Sequence, residues 1–322
     1  MSAIPVTSSA VDGGMPVVAR RGVVASLVET TKLGITRMVA TTSAVGFVMA
    51  ASTRAWGLGE LLVSGVACVV GTALAAAGAN SINQYMERDR DALMTRTAGR
   101  PLPQGRVTPG AVLGAGTALS ALGVLLLWSV SGAVPALIAL ACVVSYVAVY
   151  TPLKTRTTLA TFIGAIPGAL PPLIGWTAAS EAAGWEALRE AGGLSLFALM
   201  FIWQIPHFLA IAWMYREDYA RGGYLVLPVI DPAGRWTAAT IALWTAALLP
   251  ATLLPAWAMP ERLGVTYLAI AAVSGVGYAV LAGRLVVTRG RAEARRVFFG
   301  SIMHLPLLLV AMVAEALVRA AA

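Results

Sequence analysis

Acidic residues are scarce in this chain, with fifteen Asp and Glu among 322 residues, and all charged residues together make up only 12%. A soluble domain carries about 25% charged residues, so two soluble domains, which the length alone would allow, are excluded. Cysteine is equally sparse. Cys68 and Cys142 both sit in apolar runs without metal-ligand spacing, which excludes a disulfide framework and leaves them as small core residues. What fills the chain instead is apolar sequence: 58% hydrophobic, with a mean hydropathy of +0.79. Long apolar runs recur, each able to cross roughly 30 Å of hydrocarbon. They are apolar on all sides rather than alternating, which excludes a membrane β-barrel. The composition specifies an all-α polytopic membrane protein.

Nine spans are predicted, near residues 34–53, 60–84, 108–128, 132–150, 159–179, 193–214, 236–258, 264–283 and 297–318. Residues 1–24, rich in small residues, Pro and Gly, are expected to be a disordered tail, leaving a single nine-helix domain over 25–322. No convincing Ala-x-Ala site follows Arg20 and Arg21, so a cleaved secretory signal is not expected. Assigning connections alternately to the two sides puts nineteen Lys and Arg on the side of the N-terminus and four opposite. By the positive-inside rule the N-terminus is therefore cytoplasmic. The same rule accounts for the net charge of +8, and with no basic soluble domain there is no case for a nucleic-acid partner.

Against that background one stretch is anomalous: NSINQYMERDRDALMTRTAGRPLPQGR, residues 80–106. Asn83, Glu87 and Asp91 fall at i, i+4 and i+8, one stripe on a helix of 3.6 residues per turn, while Asp89 points away. Charge beside membrane-length apolar sequence needs a reason. One reading is a helix end whose acids pair with neighbouring arginines. The other is a hard-cation site, since Mg²⁺ is held by one or two carboxylates and completes its shell with water and substrate phosphates. Arg96 and Arg100 follow with guanidinium forks suited to phosphate oxygens. Lys154 and Arg156, in YTPLKTRTT (150–158), could close over a diphosphate from across the bundle or serve simply as topology determinants. A third cluster starts inside span six, WQIPHFLAIAWMYREDYARGGYLVLPV (203–229). Pro206 marks a kink there, and Asp218 offers a second carboxylate facing the first set. His207 is either a packed hydrogen-bonding residue or a ligand, and Gly222–Gly223 is a turn.

These stretches resemble the UbiA-type intramembrane prenyltransferases. NQYMERDRDALMTRTAGRPLP is similar to that family's Asn-x-x-x-Asp-x-x-x-Asp signature. Residues 150–176, 203–229 and 298–313 resemble its subfamily that farnesylates protohaem IX. The resemblance implies a UbiA-like helical bundle that transfers a farnesyl group from farnesyl diphosphate to a vinyl group of haem b, giving haem O. It implies Mg²⁺ as cofactor on Asn83, Glu87, Asp91 and Asp218, and diphosphate binding by Arg96, Arg100, Lys154 and Arg156. His207, in the family's Pro-His-Phe, becomes a haem contact. Membrane lipid surrounds such an enzyme, in a bacterial plasma membrane with the site toward the cytoplasm. Haem A synthase or terminal-oxidase assembly would take its product. Two departures stand out. Glu87 occupies a position where the family has Asp, which puts direct metal ligation by it in doubt. His304 stands where the subfamily often has Tyr, and is read as packing. A quinone-precursor prenyltransferase, a transporter and a haem chaperone are the competing readings.

Overall fold

A computed structural model of the protein describes residues 22–52, 54–182 and 184–321. Among them nine helices are long and apolar enough to cross a membrane. These are α2 (Leu33–Ala51), α3 (Leu58–Asp91), α4 (Pro109–Ser131), the composite span Ala133–Leu153, α7 (Ala160–Ala179), α8 (Ala191–Met214), α11 (Arg235–Ala258), α12 (Val265–Thr288) and α13 (Arg291–Ala321). The composite span joins α5 (Ala133–Val144), a π-helical segment Ser145–Tyr150, and the single turn α6 (Thr151–Leu153). Short helices α1 (Val23–Thr30), α9 (Arg216–Arg221) and α10 (Leu227–Ile230) and a 3₁₀ segment, Gly184–Arg189, complete the order.

Every expected span is present, and the differences lie at the ends. Helix α1 begins at Val23, and residues 1–21, which hold most of the expected tail, lie outside those described. The second span continues seven residues past its expected end at 84, to Asp91. At 1.5 Å per residue its 34 residues reach about 51 Å, far beyond the hydrocarbon thickness. Hydropathy registers only the apolar part of such a helix; nothing in SINQYMERDRD breaks it, so the polar stripe rides on the same rod. α13 likewise starts at Arg291, six residues before the apolar run that announces it. Pro206 sits inside α8, which runs unbroken from Ala191 to Met214.

Helix α3 packs on α4 and α2, α2 on α7, and α7 bridges to α8; α8, α11, α12 and α13 then pack in turn, with α13 returning to α8 and α2. Helices α3 and α4 approach closely. A Cβ on Gly123 would meet the Gly71 carbonyl, and one on Gly78 would meet the Gly116 carbonyl and Ser120. In lipid, where hydrophobic burial does not drive helices together, small residues let backbones approach and gain packing contacts. A buried apolar core runs through Leu199, Ile205 and Leu209 of α8, Ile241 and Leu248 of α11, and Leu305 and Leu308 of α13. Large apolar side chains such as Leu125, Val273 and Val310 face outward instead, as a bilayer solvent requires.

Candidate active site

At one end of the bundle the last turns of α3 meet three segments that are distant in sequence. The stripe is buried: Asn83 is 0% exposed, Glu87 6% and Asp91 1%. Asp89, off the stripe, has a side chain that is 84% exposed. The spacing of four residues decides this, because it keeps one face of α3 turned inward.

Each stripe residue is held by its own cation. Lys32 Nζ donates to Asn83 Oδ1 at 2.6 Å, Lys154 Nζ to Glu87 Oε1 at 2.8 Å, and Arg100 Nη1 to Asp91 Oδ2 at 2.6 Å. Asn83 also donates through Nδ2 to Thr151 Oγ1 at 2.9 Å, which ties α3 to the turn bearing Lys154. Tyr150 places its ring 4.5 Å from Lys154 Nζ, and buried Tyr224 lies near the same ammonium at 5.9 Å. Burial opposes a charge on Lys154, but the Glu87 carboxylate and the tyrosines beside it hold its pKa well above the ordinary lysine value. Lys32 goes the other way. Burial, reinforced by the nearby Arg100 guanidinium, brings its ammonium down to about 7.

The loops carrying these groups are interlocked. Leu225 N–H donates to the Lys154 carbonyl at 2.8 Å, and Arg90 Nη1 to the Gly222 carbonyl at 3.0 Å. Gly223 makes the anticipated turn with φ of 69°. Asp218 accepts from the backbone N–H of Thr95 at 3.2 Å and of Arg96 at 3.1 Å, and from Arg221. Although burial pushes its carboxyl upward, Arg221 and those two N–H groups hold it below the ordinary aspartate value.

The structure thus gathers Asn83, Glu87, Asp91, Arg100 and Lys154 into one charged cluster. It gives Asp218 different partners, so that this carboxylate staples the α3–α4 loop to α9. Arg96 is exposed and lies over the rings of Tyr215 and Tyr219, at 5.5 and 5.7 Å. Arg156 is exposed and has no side-chain partner among the described residues. Lys32 was legible in sequence only as a topology charge. Fifty-one residues separate it from Asn83, and no motif spacing announces that meeting.

The cluster fits a hard cation in one specific respect. Asp91 Oδ1 is buried without a hydrogen-bond partner, an orphan acceptor on the same stripe as Asn83 and Glu87. No three Asp, Glu, His or Cys side chains come together as a metal cage among the described residues. Mg²⁺ bound through one or two carboxylates, with a ligand's own oxygens completing its shell, suits such a donor set.

Deeper in the bundle, His207 of α8 is stacked between Trp203 and Phe298, at ring separations of 4.7 and 5.2 Å. Its Nδ1 is 2.6 Å from Ser301 Oγ. The Ser301 hydroxyl donates its one proton to the Phe298 carbonyl at 2.6 Å, so in this network Nδ1–H is the donor to Ser301. Nε2 of the neutral ring then carries a lone pair, the arrangement found in metal-ligating histidines. His304 is 3% exposed, stacked on Tyr278, and both its ring nitrogens lack partners.

Comparisons with known proteins show the family and the fold. The model of the UbiA prenyltransferase family matches residues 38–321. The protoheme IX farnesyltransferase of Anaeromyxobacter sp. (strain Fw109-5) is 44% identical over 276 residues, covering 85% of this chain and 88% of that protein. In fold, the chain is similar to a digeranylgeranylglyceryl phosphate synthase, with a TM-score of 0.72 at 15% identity, covering 91% of this chain and 98% of that one. It is also similar to a UbiA homolog from Archaeoglobus fulgidus solved with GPP and Mg²⁺, with a TM-score of 0.62 at 14% identity, covering 92% of this chain and 100% of that one. Nine apolar spans among the described residues, this bundle and a family match over most of the length lead to one assignment: the chain is an integral membrane protein that belongs to the UbiA prenyltransferase family.

Proposed function

We propose that the protein transfers the farnesyl group of farnesyl diphosphate to a vinyl group of haem b, producing haem O. The observation that carries this reading is the buried stripe of three oxygen-bearing side chains, each paired with a cation, in a chain 44% identical to a protoheme IX farnesyltransferase. In the reaction the allylic C–O bond breaks and its electron pair leaves with diphosphate. The vinyl π pair forms the new C–C bond, and water adds to the cation left on the haem side with release of its proton.

Mg²⁺, when bound through Asn83, Glu87 and Asp91, supplies charge neutralisation of the leaving diphosphate. Lys32, Lys154 and Arg100 supply the same kind of stabilisation from the protein, as donors already aimed into a buried site. To receive an anion they exchange their present partners for its oxygens. Asp218, by fixing the Thr95–Arg96 backbone, positions Arg96 and Arg100 rather than contacting the diphosphate itself. Arg156 joins at the rim as an exposed charge. Apolar helices below the cluster exclude water from the farnesyl cation. His207, through Nε2, contacts the haem.

The excess of Lys and Arg on the side that carries the cluster supports a site facing the cytoplasm, and the setting is a bacterial plasma membrane, with a single domain over residues 25–322 doing the chemistry. Haem A synthase or terminal-oxidase assembly would then receive the product. Purified protein in detergent, given haem b, farnesyl diphosphate and Mg²⁺, is expected to form haem O, detected by mass. Absence of that product, with prenylation of a quinone precursor under the same conditions, would overturn the assignment.

A further inference from the structure

A second feature at the charged end of the bundle is a cavity of about 300 Å³ between the end of α8, helix α9, and the junction of α12 with α13. Four arginines line it (Arg216, Arg221, Arg289 and Arg291), and so do Glu217 and Asp218. Four guanidiniums against two carboxylates leave two positive charges. Arg221 is already engaged with Asp218 and with Thr95 Oγ1, and Arg216 reaches the Pro232 carbonyl at 3.4 Å. Arg289 and Arg291 have no side-chain ion pair or hydrogen bond among the described residues. Arg289 also has a left-handed backbone, φ of 51°, directly before Gly290, which could adopt it without strain.

The place of the cavity in the fold gives it meaning. Met214, on its wall, follows His207 by seven residues on α8, and Arg291 precedes Phe298 by seven on α13. Seven residues bring a helix back to nearly the same face and rise about 10.5 Å. His207 and Phe298 stack on each other across the α8–α13 seam. The arginine-lined cavity therefore stands two turns above that stacked pair on the same seam. A flat tetrapyrrole set edge-on along the seam, with its metal near His207, directs the carboxylates on its edge into the cavity.

We propose that this cavity receives the two propionates of the tetrapyrrole substrate, with Arg289 and Arg291 as the groups that pair with them. The proposal rests on the reading of haem b as acceptor. Guanidinium–carboxylate pairing is directional and charge-assisted. A net of two positive charges matches a dicarboxylate edge and exceeds what setting topology requires of a cavity wall.

The test uses the full-length protein in phosphatidylcholine nanodiscs, titrated with haem b and with haem b dimethyl ester by absorbance. For the double variant R289Q/R291Q we expect haem b affinity to fall about tenfold or more, which corresponds to losing about 1.4 kcal/mol. The ester is expected to bind wild type weakly and to lose nothing further in the variant. Arg291→Lys in the Arg289 background, which keeps the charge, is expected to retain most of the affinity, and thermal unfolding checks that the variants are folded. An equal loss for both ligands would show that the arginines act through packing, and no loss for either would overturn the proposal. An effect confined to nanodiscs containing phosphatidylglycerol would assign the cavity to lipid phosphates. Weaker competition by inorganic diphosphate would assign it to the leaving group. If wild type binds haem b tightly, any of these outcomes removes the propionate site alone; if wild type neither binds nor converts haem b, the function proposed above fails instead.

Discussion

Arg100 Nη1 lies 2.6 Å from Asp91 Oδ2, while Oδ1 of the same carboxylate is buried and has no partner. One oxygen is thus balanced by a cation and the other is left for a ligand. An orphan acceptor of this kind costs about 1–3 kcal/mol in the unliganded protein, a cost that cation binding removes. Asp91→Ala is expected to lower turnover by about two to three orders of magnitude, while haem b binding, followed by absorbance, persists. Wild-type turnover in this variant would show that the stripe is structural.

The Glu87–Lys154 pair joins α3 to the loop after α6 with both side chains largely buried, at 8% and 16% exposure. Removing one partner strands the other charge, so Lys154→Met is expected to cost about 3–5 kcal/mol. The double variant with Glu87→Gln should regain a substantial part of that loss. Thermal unfolding of the two single variants and the double variant measures the coupling, and strictly additive effects would mean the pair contributes nothing as a pair.

Gly123 of α4 admits no Cβ without displacing the α3 backbone at Gly71 and Ala75. Gly123→Ala is expected to destabilise the protein by about 1–3 kcal/mol, as overpacking does. Because α3 carries the stripe, turnover should fall further than stability explains. Detergent melting curves alongside initial rates check this, and an unchanged Tm would mean that the two helices separate freely.

If His207 Nε2 contacts haem iron, His207→Ala shifts the absorption spectrum of the haem-loaded protein. Ser301→Ala, which removes the acceptor that orients the ring, should keep the spectrum but weaken haem binding by about tenfold or more. An unchanged spectrum in His207→Ala would remove it as a ligand.

His304 is buried at 3% exposure, stacked on Tyr278, and unsatisfied at both ring nitrogens. Replacing an unpaired polar ring by an apolar one of similar shape is close to neutral or stabilising. His304→Phe is therefore expected to keep full turnover and a Tm equal to or above that of wild type. Loss of turnover with retained Tm would instead assign His304 to the chemistry.

Much of this protein was settled by local pattern. Runs of apolar residues set the nine spans, because a chain in lipid must satisfy its backbone within each helix and so spans are long and recognisable. The four-residue spacing of Asn83, Glu87 and Asp91 fixed their common face, since helical periodicity is a property of the local chain. Other features depended on which helices became neighbours. Lys32 reaches Asn83 across fifty-one residues and Ser301 meets His207 across ninety-four, and neither contact leaves a trace in residue spacing. Asp218 looked like a partner for the stripe, yet tertiary packing turned its carboxylate to the backbone of Thr95 and Arg96. Which cation neutralises which oxygen is a matter of distance and burial across several helices. Periodicity within one helix carries no information about either, so only the folded bundle could decide it.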